Sequence, residues 1–203
     1  MFSSGRKAVW RQLVVEVGGE FIEEGLLGSD SVRAKLKQWT IFLDTYTESG
    51  GGGGGRVYTR FIAPYQSLDG VTWRIKRKGM ESWIVKLPGL RQLGKLFAPP
   101  EIEVGDPDFQ REFIINGTNS EKVVSMLAKQ EIRRLIHRLQ DPYFVATARD
   151  YQSGPRELRL YFQAPGMVED LQQLKSVFEL FEVTLDQLVA IGSASEEAPE
   201  TER

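Results

Sequence analysis

Six cations have types and spacing that suit the capture of an anion: Arg60, Arg74, Lys76, Lys78, Lys86 and Lys95. They fall within Arg56 to Lys95, where nine Lys and Arg face only Asp69 and Glu81; that stretch carries +7, and a chain total of −2 leaves −9 elsewhere. Such segregation marks either an anion-binding surface or a solvated sheet face beside an acidic one. Trp83 lies in the same stretch, within Met80 to Phe97, where Ile84, Leu87, Leu90 and Leu93 recur at helical spacing among Lys86, Arg91 and Lys95. A basic helix at a membrane surface shows that pattern, with Trp83 as its anchor, but Pro88-Gly89 divides the segment and favours burial against a sheet. Nucleic acid fits poorly, because the pI is about 5.6 and no exposed aromatic platform is interleaved with the cations.

Other chemistry is sparsely supplied. The chain has no cysteine, which removes disulfides, thiolate metal sites and cysteine nucleophiles. His137 is the only histidine, and its helical neighbours are polar, so an exposed position is expected. Asp106 and Asp108 resemble the opening of a calcium loop, but no further oxygen ligands or closing glutamate follow in register, and Gly105-Asp106-Pro107-Asp108-Phe109 reads as a turn. The run Gly50 to Gly55 leads into Arg56-Val57-Tyr58-Thr59, of strand character, whereas a phosphate-cradling loop must lead into a helix. No Gly-x-Ser-x-Gly elbow occurs, and Glu20, Glu23 and Glu24 sit in surface patterns with nothing to raise a carboxyl pKa. No catalytic residue, metal or cofactor is assigned on this basis.

The elements that must position the cations are strands. In Gln38 to Tyr46, Trp39, Ile41 and Leu43 alternate with Gln38, Thr40 and Asp44. In Val57 to Pro64, Val57, Thr59, Phe61 and Ala63 face one way and Tyr58, Arg60 and Ile62 the other. Val71, Trp73 and Ile75 alternate with Thr72, Arg74, Lys76 and Lys78, which makes one side apolar and the other cationic. The glycine run and Leu68-Asp69-Gly70 read as the two hairpin turns joining these strands. A second hairpin is expected from Tyr143 to Asp150 and Glu157 to Ala164, and Phe113 to Ile115 form a short buried strand. Helices are expected at Ala8 to Val17, from a Thr118/Glu121 capping box to Leu139, and along the carboxy-terminal stripe of Leu171, Leu174, Phe178, Phe181, Leu185 and Leu188. That stripe is long enough for a coiled-coil seam, but its phenylalanines and flanking apolar residues suit a broad face laid on a sheet. Glu20 to Leu27 reads as a short strand, Ser29 to Lys37 as a polar lead-in to the sheet, and Ser193 to Arg203 as a disordered acidic tail.

Residues 1–192 are therefore expected to form one α+β domain: an antiparallel sheet of two hairpin blocks, covered on one face by amphipathic helices that include a long C-terminal one. Arg74, Lys76 and Lys78 then project away from the side on which Trp73 and Ile75 meet that helix. The amino terminus lacks the continuous apolar stretch of a signal peptide, and no window approaches the ~20 apolar residues of a membrane span, so a cytoplasmic protein is expected.

Tyr58-Thr59-Arg60, the run Gly105 to Phe109 followed by Phe113-Ile114-Ile115-Asn116-Gly117, and the ending Leu174, Phe178-Glu179-Leu180-Phe181, Leu185, Leu188 to Gly192-Ser193-Ala194 resemble a family of uncharacterised bacterial proteins. The resemblance covers most of the chain from Arg56 to Ala194, departs from the family pattern at Gln110 where aspartate is frequent, and implies a bacterial intracellular setting and a shared fold, with no activity attached. The expected function is a non-catalytic binding or assembly module, with a protein partner, self-association or an apolar ligand under the long helix. The alternative is a peripheral protein using the basic 56–95 region on phosphates of anionic lipid or nucleic acid.

Overall fold

The structure is a computed structural model that describes residues 4–23, 30–49, 55–79, 100–148 and 156–197. In chain order the elements are α1 (Ser4–Val17), β1 (Gly19–Ile22), β2 (Ser31–Leu36), β3 (Trp39–Ser49), β4 (Gly55–Gln66), β5 (Trp73–Arg77), α2 (Pro107–Glu112), β6 (Phe113–Gly117), α3 (Ser120–Leu127), α4 (Gln130–Arg138), β7 (Tyr143–Ala148), β8 (Glu157–Pro165) and α5 (Leu171–Ala190). The strands make one antiparallel sheet in the order β1-β2-β3-β4-β8-β7-β5-β6. The α+β class, the antiparallel sheet and the long C-terminal helix agree with the sequence reading.

Period-two alternation sends one set of strand side chains to a common side. Leu43, Phe61, Phe162, Phe144, Ile75 and Ile115 lie there, and α5 meets them with Leu174, Phe178, Phe181 and Leu185. Phe61 is central: it stands edge-to-face with Phe162 at 5.9 Å and with Phe178 at 5.4 Å between ring centroids. Each such ring contributes roughly 1.5–3 kcal/mol on burial, so α5 is held as core and not as a seam awaiting a partner.

Thr59, fully buried, fastens the entry to α5. Its hydroxyl donates to Gly166 O at 2.9 Å and accepts from Val168 N at 2.8 Å.

Several local expectations are corrected. Leu68-Asp69-Gly70 is not a hairpin turn, because β4 pairs with β8 (Phe61 opposite Phe162) and β5 lies between β7 and β6. The turn starts a crossover. Asp69 accepts from Val71 N at 3.0 Å and from Ser193 Oγ at 2.6 Å, which ties the bend to the end of α5 and directs the chain across the sheet. Lys122 completes this corner by donating to Ile191 O at 2.6 Å, a cation at the negative end of α5.

The polar lead-in contains strand β2, in which Val32, Ala34 and Leu36 alternate with Arg33 and Lys35. Gly105 to Phe109 is a helix start as well as a bend: Asp106 caps α2, accepting from Phe109 N at 3.1 Å, with Pro107 in the first turn. The Asp that would open a turn has the same local chemistry as an N-cap, which is why the two readings coincide.

The single helix expected up to Leu139 is two. Asn119, not Thr118, caps α3, and Lys129 at ψ 104 interrupts the helix before α4. Thr118 is otherwise engaged, its Oγ1 accepting from Thr72 N at 3.0 Å. The break leaves the last carbonyls of α3 without helical partners, and Arg133 supplies one by donating to Leu127 O. In the expected acidic tail, Ser193 and Ala194 are buried, and Ala194 bridges Ser67. The Met80 to Phe97 segment lies outside the described residues, and Lys86, Lys95 and Trp83 with it.

Candidate binding face on the side of the sheet away from α5

Among the described residues, the buried apolar side chains of α1 to α5 belong to one core with Phe61. Yet Tyr58, Tyr143, Val145 and Tyr161, on the opposite side, are only 1–4% exposed and stand outside that core. They come from β4, β7 and β8, the middle of the sheet, where alternation turns the second set of side chains away from α5.

Polar groups are built into this second cluster. Gln163 Oε1 accepts from Tyr46 at 2.8 Å and from Tyr161 at 2.6 Å. Tyr46 stacks on Tyr58 with centroids 5.4 Å apart, and Tyr143 meets Tyr161 edge-on at 6.4 Å. Arginines lie along the rings: Arg60 is 5.1 Å from the centre of Tyr46 and Arg159 5.7 Å from that of Tyr161. Burial pushes the Tyr161 phenol far above its ordinary range and the Tyr143 phenol up to about 12, the latter against the opposing pull of Arg74. These hydroxyls stay protonated at neutral pH, which suits hydrogen bonding and not base catalysis.

Arg74 and Lys76 do leave β5 on the side opposite Trp73 and Ile75, and both are half-buried. Arg60 shares their face but lies three strands away, about 14 Å at the usual spacing. Its charge is balanced by Asp44 directly opposite on β3, with Nε donating to Oδ1 at 2.8 Å and Nη2 to Oδ2 at 2.5 Å. Lys78, past the end of β5, is 3.7 Å from Glu101. Arg74 differs from both. Its Nη2 donates to Asn116 Oδ1 at 3.0 Å and it bonds the Tyr143 phenol, both neutral partners. Comparisons of the chain with protein-family models, with curated proteins and with solved structures give no match. The geometry alone carries the functional reading.

Tyr143, Tyr161, Gln163 and Asn116 escaped the sequence reading as site residues. Part of the signal was present: the non-core sides of β7 and β8 hold Tyr143, Val145, Tyr161 and Gln163, with charge only at Glu157 and Arg159 near the start of β8.

Elsewhere, Asp106 is committed to its cap and to Arg133 Nε at 2.9 Å, and Asp108 pairs with Arg111 at 3.0 Å. The hydrogen bond from Phe109 N, followed by Arg133, holds the Asp106 carboxyl below the usual range. His137 is exposed at its edge and stands edge-on to Phe109 and Phe113, with centroids 5.6 and 5.3 Å away. Among the described residues no three His, Cys, Asp or Glu gather as metal ligands, and no helix is long and apolar enough to cross a membrane.

Proposed function

We propose that this chain is a non-catalytic binding module, acting in the bacterial cytoplasm, whose binding surface is the side of the sheet turned away from α5. One observation carries the reading: a tyrosine cluster with its own hydrogen-bond network lies on a sheet face that contributes nothing to the core with α5. Aromatic rings with polar tips are the side chains that recognition surfaces favour, because they bury large area while retaining a hydroxyl for a partner.

The test uses the full chain and the dye 8-anilinonaphthalene-1-sulfonate, an apolar body bearing one negative charge. Amide NMR shifts are expected to change in β4, β5, β7 and β8. Changes confined to α1 to α5, or no saturable change, overturn the assignment of this face.

A second reading, peripheral attachment to anionic lipid through the 56–95 region, draws on Arg74 and Lys76. It is weakened by the Arg60–Asp44 and Lys78–Glu101 pairs, which remove two of its six cations. Retention on anionic vesicles that falls steeply between about 50 and 200 mM salt is the behaviour it requires.

A further inference from the structure

We propose that the outer edge of β1, with the row of α1 beside it, is a self-association surface, at which a second copy of this chain adds its own β1 antiparallel and joins two eight-stranded sheets edge to edge. The inference is independent of what the face turned away from α5 binds.

The sheet treats its two ends differently. At the β6 end the chain covers the edge itself: Ile102 N donates to Ile115 O at 2.8 Å, and Glu101 bridges Asn116. At the other end β1 pairs with β2 alone, and among the described residues nothing bonds to its outer side. Gly19 and Glu20 are exposed, and Phe21 and Ile22 are half-buried. Lysine, proline or a bulge blunts an edge of this kind, and Gly19–Ile22 has none of them. Its free backbone groups are a template for another strand.

The flank of α1 says which strand that is. Lys7, Arg11 and Val15 form one i, i+4 row, and its first two members reach β1 and the residue after it: both donate to Glu23, and the Arg11 guanidinium lies 5.2 Å from the centre of the Phe21 ring. Val15 continues the row beside the open edge, 82% exposed. The strip therefore holds two cations, Lys7 and Arg11, and two acids, Glu20 and Glu23. Its charge cancels, so an inverted copy of the same strip meets no net repulsion, whereas a strongly charged partner finds nothing there to balance it.

The pleat then fixes the register. Phe21 shares the helix side with Val32, so Glu20 and Ile22 lie on the other, and a continuous sheet sets like sides opposite one another. Two registers with two-fold symmetry pair three residues of this strand. One centres on Glu20 and sets that carboxylate against its own copy; the other centres on Phe21, with Glu20 opposite Ile22 of the second copy. Repulsion excludes the first. In the second the two Phe21 rings meet across the axis, each beside its own Arg11.

The experiment measures the mass of the full chain by sedimentation velocity from about 1 to 300 μM, a range suited to a small interface of modest affinity. A concentration-dependent dimer is expected. Ile22→Glu, which faces Glu20 of the second copy, should weaken it at least about tenfold, and Glu20→Lys in that background should restore it. Val15→Arg, at a position already open to water, should weaken the dimer severalfold with the fold intact. The chain has no cysteine, so a single introduced thiol reports the register directly. Under mild oxidation Phe21→Cys should cross-link two chains, since directly opposed residues in an antiparallel pair have Cα atoms about 4.5–5.5 Å apart, within disulfide reach. Glu20→Cys should not, because it is offset from its own copy by two residues, about 7 Å along the strand. A monomer throughout the range, a dimer unchanged by Ile22→Glu, no rescue in the double variant, or cross-linking by Glu20→Cys in place of Phe21→Cys each overturn the proposal. Rescue keeps the test decisive if Ile22→Glu loosens the strand, since a second charge does not mend a misfolded edge.

Discussion

The two sides of one sheet solve burial in opposite ways. Toward α5, Phe61, Phe144, Phe162 and Phe181 are packed ring against ring with no polar atom among them. On the other side Tyr46, Tyr161 and Gln163 are joined through hydroxyl and amide, and arginines lie over the rings. The strands are shared, so neither backbone geometry nor strand propensity explains the contrast. What separates the faces is chemistry: an amphipathic helix meets the first with apolar side chains, whereas the second buries rings whose hydroxyls are satisfied by a shared amide.

Breaking the hydrocarbon side should have the largest effect. Phe181→Ala removes a fully buried ring that touches Phe61 and Phe144, and a loss of about 3–5 kcal/mol is expected in urea or guanidinium unfolding. A loss under about 1 kcal/mol would mean that α5 is not the centre of the core.

The polar side should yield less, and by a different mechanism. Gln163→Ala strips the shared acceptor from Tyr46 and Tyr161 and is expected to destabilise by about 1–3 kcal/mol. Tyr161→Phe in that background should add less than it does alone, because the orphaned hydroxyl is already a liability. Additive effects would show that the cluster is not one network.

The smallest effect is read against pH. The folded-state phenols of Tyr143 and Tyr161 are raised by burial, so their stabilisation is complete below about pH 10, where the unfolded chain also keeps its phenolic protons. Above that the unfolded state loses protons that the folded state retains, and stability declines as pH rises toward the Tyr143 value of about 12. Tyr143→Phe should flatten part of this alkaline limb in melts taken from pH 9 upward, while Phe181→Ala should lower the whole curve without changing its slope. An unchanged slope in Tyr143→Phe would place that phenol in water.

Much of this contrast is written in the order of residues. Alternation in β3, β4, β5 and β8 states which side chains share a face, and the stripe from Leu171 to Leu188 states that a long helix will cover one of them. Even the opposition of Arg74 to Trp73 follows from a period of two. Local interruptions were harder to read, since Lys129 breaks a pattern whose apolar spacing runs on through both helices, and only the competing bond of Thr118 to Thr72 moves the cap to Asn119.

Strand order is another matter. Periodicity says nothing about whether β5 lies beside β4 or beyond β8 and β7, and that choice depends on how Asp69 meets Ser193 and Lys122, residues more than fifty positions away. The same holds for charge. Arg60 and Arg74 look alike in sequence, each the cationic member of an alternating strand. Pairing places a carboxylate opposite the first and an amide opposite the second, a difference that alternation alone does not show.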